Sequence, residues 1–475
     1  MPEAALPFAA TLEALAPEWP DGDFRARIRQ RLAATGTAVV VIDDDPTGTQ
    51  TAHDVPILTT WGEAELCEEL RRGGPAFYVL TNSRALPRRQ AGGLARALGR
   101  NLAAAARSAG RGLAVVSRGD STLRGHYPAE TDALAEGMGF RPDGVVIAPY
   151  FREGGRYTIA DVHYVLEGDC LVPVADTEFA RDRAFGYRHS NLRAWVSEKT
   201  EGAWSESVVA SLSLDLIRRG GPDAIAEALR GVEGGRPVVV NAASDRDLEV
   251  VVMGLSLAED GGKRFLCRTA ASFAKVRAGI SDRALLTPAE LSLHETGSGA
   301  GLVVVGSHVP RSTRQLEALL ATGRWQPIEL RVPDLLDTRQ TAAVIARLRR
   351  ELDRHLASGR DVVLFTSRDL VGGADAERSL AVARAVSQAL VLLVSGLERA
   401  PRFLIAKGGI TSSDVATEGL GVRRAVVLGQ IAAGVPVWRL GAESRFPDMA
   451  YIVFPGNVGT DSTLAEVATA LSAGR

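Results

Sequence analysis

The stretch Ala38-Val39-Val40-Val41-Ile42-Asp43-Asp44-Asp45-Pro46-Thr47-Gly48-Thr49-Gln50 decides how the rest of the chain is read. Its apolar run, rich in β-branched residues and closed by turn residues, fits a strand buried on both faces, as in a parallel sheet. Consecutive carboxylates repel one another and make poor strand, so Asp43 to Asp45 belong to the turn that leaves the strand's carboxyl end. In open α/β sheets that edge is where ligands bind. One segment therefore predicts both an architecture and a place for chemistry.

Working outward, similar runs recur at 77–80, 113–116, 145–148, 238–240, 302–305, 362–365, 403–406 and 425–428. Between them lie longer Ala/Leu/Arg segments with helical spacing, such as the one that Pro87 opens toward Ala109. The alternation predicts an α/β protein of two domains, each built on a mainly parallel sheet flanked by helices. A chain of 475 residues is long enough for that. Pro288 and the glycines at 297, 299 and 301 mark a linker over 286–301. The expected domains are 1–290 and 291–475. Residues 150–235, with Tyr187, His189, Trp195 and Trp204, break the alternation and read as insertions or loops.

A composition 46% hydrophobic and 24% charged excludes disordered and fibrous classes. With 55 basic against 57 acidic residues the net charge is −2, which offers no basic stripe to nucleic acid or a membrane surface. The expected partner is a small molecule, with a homodimer as the base-rate assembly. No apolar run approaches the roughly 18 to 20 residues of a spanning helix. No basic residue precedes Arg25, the wrong charge for a secretory or transit signal, so the expected location is cytoplasmic. Cys67, Cys170 and Cys267 lack any CxxC spacing and are expected to be buried and inert.

The residues after each strand carry the chemistry. Asp44 and Asp45 suit a general base, a magnesium ligand or an acceptor of sugar hydroxyls, and the plain alternative is an Asp-Pro turn. The next two strands end in Thr81-Asn82-Ser83-Arg84 and in Ser117-Arg118-Gly119-Asp120-Ser121-Thr122-Leu123-Arg124-Gly125-His126. If these ends share a rim, Arg84, Arg118 and Arg124 stand beside Asp44, Asp45 and Asp120. Guanidinium forks for a carboxylate or phosphate, with carboxylates and hydroxyls for sugar oxygens, suit an anionic, hydroxylated ligand. Caps and surface ion pairs are the plain alternative.

In the C-terminal half the strand ends carry glycine: Gly306-Ser307-His308, then Lys407-Gly408-Gly409-Ile410-Thr411-Ser412-Ser413-Asp414, then Pro455-Gly456-Asn457-Val458-Gly459-Thr460-Asp461. Glycine permits close backbone approach, and Ser/Thr-rich helix starts offer free N–H groups to phosphate, so the three together point to a nucleotide. The chain has no GxxxxGK[ST] loop, GxGxxG turn, HExxH or GxSxG element. His126 and His163 are candidate substrate contacts, without metal-ligand spacing.

In this order the motifs resemble the four-carbon acid sugar kinase family along nearly the whole chain. Asp44-Asp45-Pro46-Thr47-Gly48 looks like its Asp-Asp-x-Thr-Gly signature, and Asp120-Ser121-Thr122-Leu123-Arg124-Gly125 is similar to its most distinctive string. The resemblance implies an N-terminal domain for the acid sugar and a C-terminal domain for the nucleotide. The reaction would phosphorylate the terminal 4-hydroxyl of threonate, erythronate or a 3-oxo-tetronate, with ATP and Mg2+. Nucleotide contacts would fall on Ser307, on Gly408, Gly409, Ile410, Thr411 and Ser412, and on Gly456, Asn457 and Gly459. Arg84 and Arg124 would fix the carboxylate, Asn82, Ser83, Asp120 and Ser121 would line the sugar site, and Asp45 or Asp44 would take the proton. Asp461 is a rival base, and no metal ligand is assigned. Ser117 and Ile410 depart from the family's usual basic and Glu residues, and Lys407 is a candidate phosphate contact. Two alternatives stay open: a metal-dependent sugar-acid lyase or aldolase, and a non-catalytic sugar-acid sensor.

Overall fold

A computed structural model describes residues 4–20, 22–291, 293, 299–336, 339–368, 376–456 and 458–473. Its contacts divide the chain into two units, 1–48 with 60–282, and 49–59 with 283–475. The second unit thus takes in a short segment from within the first half of the sequence.

The first unit holds a parallel sheet in the order Ala210–Leu212, Arg236–Val240, Gly144–Ala148, Phe265–Thr269, Gly112–Arg118, Thr37–Asp43, Ala76–Leu80. The apolar run at 38–42 is the middle of Thr37–Asp43, and Val39, Val40 and Val41 have no exposed surface. Helices cover such a sheet on both faces, which is why its strands read as unbroken apolar runs. The helix expected from Pro87 spans Arg88–Ala109, with Pro87 as its N-cap, and ends on left-handed Gly110.

The 150–235 region is more regular than its sequence suggests. Arg156–Ile159, Val162–Glu167 and Cys170–Pro173 form an antiparallel sheet, joined at its edge by Leu6–Pro7. Leu192–Lys199 is helical, and Trp195 stacks on Tyr127 at 5.0 Å inside a core with Tyr187, Val174 and Leu192. These strands are short and carry Tyr, His and Arg, so they lack the apolar signature of the buried parallel strands.

In the second unit Gln326–Leu330, Val362–Thr366, Leu302–Val305, Phe403–Lys407 and Ala450–Phe454 run parallel in that order. An antiparallel extension, Val435–Leu440, Arg424–Ala432 and Val55–Leu58, follows. The run at 425–428 therefore belongs to a meander edge. The expected linker falls partly on 292 and 294–298, outside the described residues. Cys67 and Cys267 are buried as expected, whereas Cys170, the first residue of its strand, is exposed. No helix among the described residues is long and apolar enough to cross a membrane.

Candidate functional site

Register brings the strand-end motifs of the first unit together. Asp43 pairs with Leu80 on one side and with Arg118 on the other, and Arg118 pairs with Thr269. Four neighbouring strands thus end at one level, and the turns that follow them meet on one rim.

The three aspartates there have different surroundings. Asp43 has no exposed side-chain surface and accepts from Arg118 Nη1 at 3.2 Å. Burial pushes its carboxyl up to about 7, against the pull of Arg118 and with the repulsion of Asp44 and Asp45. Asp44 accepts from Arg84 Nε at 3.2 Å and lies 3.9 Å from Arg118. Asp45 accepts from the Thr47 N–H at 2.8 Å, also from the Thr47 hydroxyl, and from Arg84 Nη1 at 3.3 Å. Burial would raise its carboxyl, but Arg84 and Thr47 outweigh burial and hold it below the usual carboxylate range. Asp45 alone of the three keeps substantial exposure, 24% against 5% for Asp44.

The other sugar-site candidates sit on the same rim. Asn82 adopts left-handed backbone at φ 52, which Asn tolerates, and immediately precedes the short 3₁₀ turn Ser83–Ala85. The Ser83 hydroxyl is buried and accepts from Thr81 Oγ1 at 3.1 Å. Asp120 accepts from Arg124 Nε at 2.8 Å and from the Thr122 hydroxyl. Against its burial, Arg84 and Arg124 hold the Asp120 carboxyl well below the ordinary range. Arg124 also faces Asp182 at 3.6 Å and lies 5.2 Å from the centre of the Phe179 ring. Ser121 is buried, and its carbonyl accepts from His163 Nε2 at 2.7 Å.

That bond corrects the expectation that His163 contacts substrate. Its other ring nitrogen meets Thr158 Oγ1 at 2.9 Å, and burial lowers its pKa to about 4, so a neutral ring braces the 120–125 turn from behind. His126 is likewise buried, edge-on to Phe185 at 4.9 Å. Sequence reasoning missed Arg268, the penultimate residue of Phe265–Thr269, whose Nη2 donates to the Arg124 carbonyl at 3.2 Å.

A hollow of about 580 Å³ elsewhere in this unit lies beside Phe24, Arg25 and Arg246. Arg25 there is saturated by Asp245, Glu249 and Asp282 at 3.2, 2.7 and 2.7 Å. The central cation of the hollow is already satisfied, so the rim is the better candidate site. Among the described residues no group of three or more His, Cys, Asp or Glu side chains is placed to hold a metal ion. The aspartates at 43–45 are turned onto Arg84 and Arg118.

The second unit carries a cavity of about 530 Å³ at the carboxyl ends of Leu302–Val305, Val362–Thr366 and Phe403–Lys407. Ser307, Gly408, Gly409, Ile410 and Thr411 line it, and Ile410 is 65% exposed. Gly408 has φ +116, which a side chain rarely adopts, and a Cβ there would lie 2.9 Å from the Ser307 side chain. Gly456 is brought close to Ser307, and Ser312 Oγ bonds the Gly456 carbonyl at 3.0 Å.

Other nucleotide candidates are placed differently. Ser412 is fully buried, with its hydroxyl donating to the Ala406 carbonyl at 2.6 Å, so it shapes the turn rather than the cavity surface. Gly459 packs on Thr463 and lines a separate hollow with Leu286 and Ile431. Asn457 lies outside the described residues. Asp461 is exposed and paired with Arg314 at 2.9 Å, an ion pair rather than a base facing the cavity. Lys407 is completely buried; its ammonium donates to the carbonyls of Pro455 and, at 3.2 Å, Gly456. Burial, with Arg311 adding, lowers it to about 7. The apolar wall of Val386 and Leu390, on the helix Ala376–Ser395, was not legible as a site because it reads as ordinary helix core.

Residues 39–277 match the sugar-binding N-terminal domain family, and residues 302–464 match the nucleotide-binding C-terminal domain family. The chain is 26% identical over 451 residues to the D-threonate kinase of Salmonella typhimurium, covering 90% of this chain and 97% of that one. It is 27% identical over 444 residues to the 3-oxo-tetronate kinase of Methylobacterium radiotolerans, covering 89% and 96%. With the D-erythronate kinase of Heliobacterium modesticaldum it shares 29% identity over 333 residues, covering 67% and 68%. A Salmonella typhimurium LT2 crystal structure shares the fold at a TM-score of 0.67 and 18% identity, covering 92% of this chain and 99% of that one. Haemophilus influenzae protein HI1011 does so at 0.61 and 19%, covering 91% and 100%.

Proposed function

The chain belongs to the four-carbon acid sugar kinase family and is a phosphotransferase with an alcohol acceptor, and from that premise we propose that it transfers the γ-phosphoryl group of ATP to the terminal 4-hydroxyl of a tetronate. Threonate, erythronate and a 3-oxo-tetronate are the candidate substrates. The observation that carries this reading is the rim of paired charges at the ends of four adjacent parallel strands, with Arg84, Arg118 and Arg124 interleaved among Asp44, Asp45 and Asp120. A neutral sugar would not need so many guanidinium groups, and a simple anion would not need the carboxylates.

In this reading Asn82, Ser83, Asp120 and Ser121 hold the substrate's hydroxyls, while Arg84 and Arg124 turn their remaining donors to its acid end. Asp45 takes the proton of the 4-hydroxyl, since it is the exposed member of its cluster; Asp44 is shielded by Arg84 and Arg118. A carboxylate of low basicity suffices, because phosphoryl transfer passes through a loose transition state that needs alignment and charge neutralisation more than proton abstraction. The nucleotide occupies the cavity of the second unit, with Ser307 and the turn from Gly408 to Thr411 against its phosphates and the wall of Val386 and Leu390 against its base. Mg2+ enters with the nucleotide, where it would neutralise phosphate charge, and no protein ligand is assigned to it.

An ADP-release assay with ATP and Mg2+ against threonates, erythronates, their 3-oxo forms and five- and six-carbon acids tests the proposal. Turnover confined to a four-carbon acid supports it. Stabilisation by the acids without ADP release would favour a sensor, and acid turnover without ATP would favour a lyase.

A further inference from the structure

The arginines of the rim are not equivalent. Arg84 faces Asp44 and Asp45, Arg118 faces Asp43 and Asp44, and Arg124 faces Asp120 and Asp182. Arg268 has no carboxylate within ion-pair distance among the described residues, although the residue is only 7% exposed. Among the described residues its guanidinium makes one hydrogen bond, from Nη2 to the Arg124 carbonyl, and its Nη1 is buried with no partner. Arginine is almost never buried unless paired, and a buried donor without an acceptor costs about 1–3 kcal/mol.

The turn after Gly112–Arg118 is built around this group. A side chain on Gly119 would collide with the Arg268 guanidinium. A Cβ on Gly125 would lie 2.7 Å from Arg268 Nη2 and 3.3 Å from Asp44 Oδ2, so Arg268 and Asp44 flank the same glycine. The two glycines that bracket Asp120-Ser121-Thr122-Leu123-Arg124 thus leave room for a guanidinium threaded in from the neighbouring strand. Strand register aligns Arg268 with Ser117, one residue before Arg118.

We propose that Arg268 is a substrate-binding residue whose unmatched guanidinium receives the carboxylate of the acid sugar, and that it makes the site prefer an acid to a neutral sugar. The three other guanidinium groups are matched by the protein's own carboxylates, so Arg84 and Arg124 have only their remaining donors for the acid end, whereas Arg268 supplies a charge that no carboxylate of the described residues offsets. The inference rests on the acid-sugar reading above. It deepens that reading by naming the residue that recognises the acid group.

The test is calorimetric binding of D-threonate, D-erythronate and the matching neutral tetronamides to the wild-type protein and to R268Q, R268M and R268K. R268Q removes the charge while keeping a neutral planar donor; R268K keeps the charge and loses the planar fork. We expect R268Q and R268M to lose at least tenfold in acid affinity with amide affinity within threefold of wild type, which abolishes the acid preference. R268K should lose acid affinity by a smaller factor, and it keeps the test decisive where the neutral variants do not fold. Wild-type acid affinity in R268Q or R268K would overturn the assignment while leaving the kinase reading intact. An equal loss for acid and amide would reduce Arg268 to a brace of the turn and equally overturn it. If no tetronate or other hydroxy acid binds the wild-type protein, the acid-sugar reading falls and the assignment of Arg268 falls with it.

Discussion

Asp43 and Arg118 stand opposite each other as the last residues of adjacent parallel strands, joined by a hydrogen bond of 3.2 Å between groups almost wholly removed from solvent. Asp43 is thereby the buried floor of the rim, Asp44 is shielded above it, and Asp45 is the carboxylate open to solvent. The pair fixes where the turn at 43–48 begins, and the position of the exposed carboxylate follows from it.

Burial raises the Asp43 carboxyl from 3.8 to about 7. Between those pH values the folded protein holds a proton on Asp43 that the unfolded chain releases, so the contribution of this group to stability falls as pH rises from about 4 to about 7 and then levels off. Asp43→Asn carries no titrating group there. Its melting temperature, measured from pH 4 to 8, should gain on that of the wild type as pH rises through this window and keep a constant difference above it.

Arg118→Gln leaves Asp43 and Asp44 facing a group that cannot neutralise them. Breaking a buried ion pair from one side costs roughly 3–5 kcal/mol, and urea unfolding at pH 8, where Asp43 is ionised, should show a loss of that order. The loss should shrink at pH 5, where Asp43 is protonated.

If Asp45 accepts the proton of the 4-hydroxyl, Asp45→Asn should lower kcat by roughly 10²–10⁴-fold with little change in substrate KM. Near-normal turnover in steady-state assays would remove Asp45 from that role.

Arg124→Ala should raise KM for the acid sugar by tenfold or more and leave KM for ATP within about twofold, the signature of lost substrate binding on one side only. It also releases Asp120, so a tetronate whose hydroxyls bond that carboxylate should lose the most. Equal changes in the two KM values would count against a place for Arg124 in the sugar site.

Gly408→Ala places a methyl group against Ser307 and forces an unfavourable backbone conformation at φ +116. It should raise KM for ATP by roughly tenfold, corresponding to about 1.4 kcal/mol, while acid-sugar binding measured without nucleotide stays unchanged. Loss of both would mean that the cavity of the second unit is not a nucleotide site.

How much could be read beforehand depended on the kind of element. The strands at 38–42, 77–80, 113–116 and 145–148 were legible because a strand covered on both faces must be apolar throughout. Phe265–Thr269 was not, because Arg268 interrupts its apolar run, and Gln326–Leu330 was not, because it carries Pro327 and exposed positions as an edge strand does. The antiparallel pieces between 156 and 173 were hidden by their polar composition. Asp44, Asp45, Arg84, Asp120 and Arg124 were found because strand-end position and charge coincide in the chain.

The sequence alone was enough for the architecture, the family resemblance and the residue types of the rim, since all three depend on local pattern: apolar period, turn chemistry and charge at strand ends. Only tertiary structure decided that Asp43 is sealed while Asp45 is open, that His163 braces a turn, that Ser412 and Gly459 leave the cavity, and that Arg268 reaches between two glycines with no carboxylate partner among the described residues. Those outcomes depend on register between strands distant in the chain and on how much water each group keeps, and neither is written in the order of neighbouring residues.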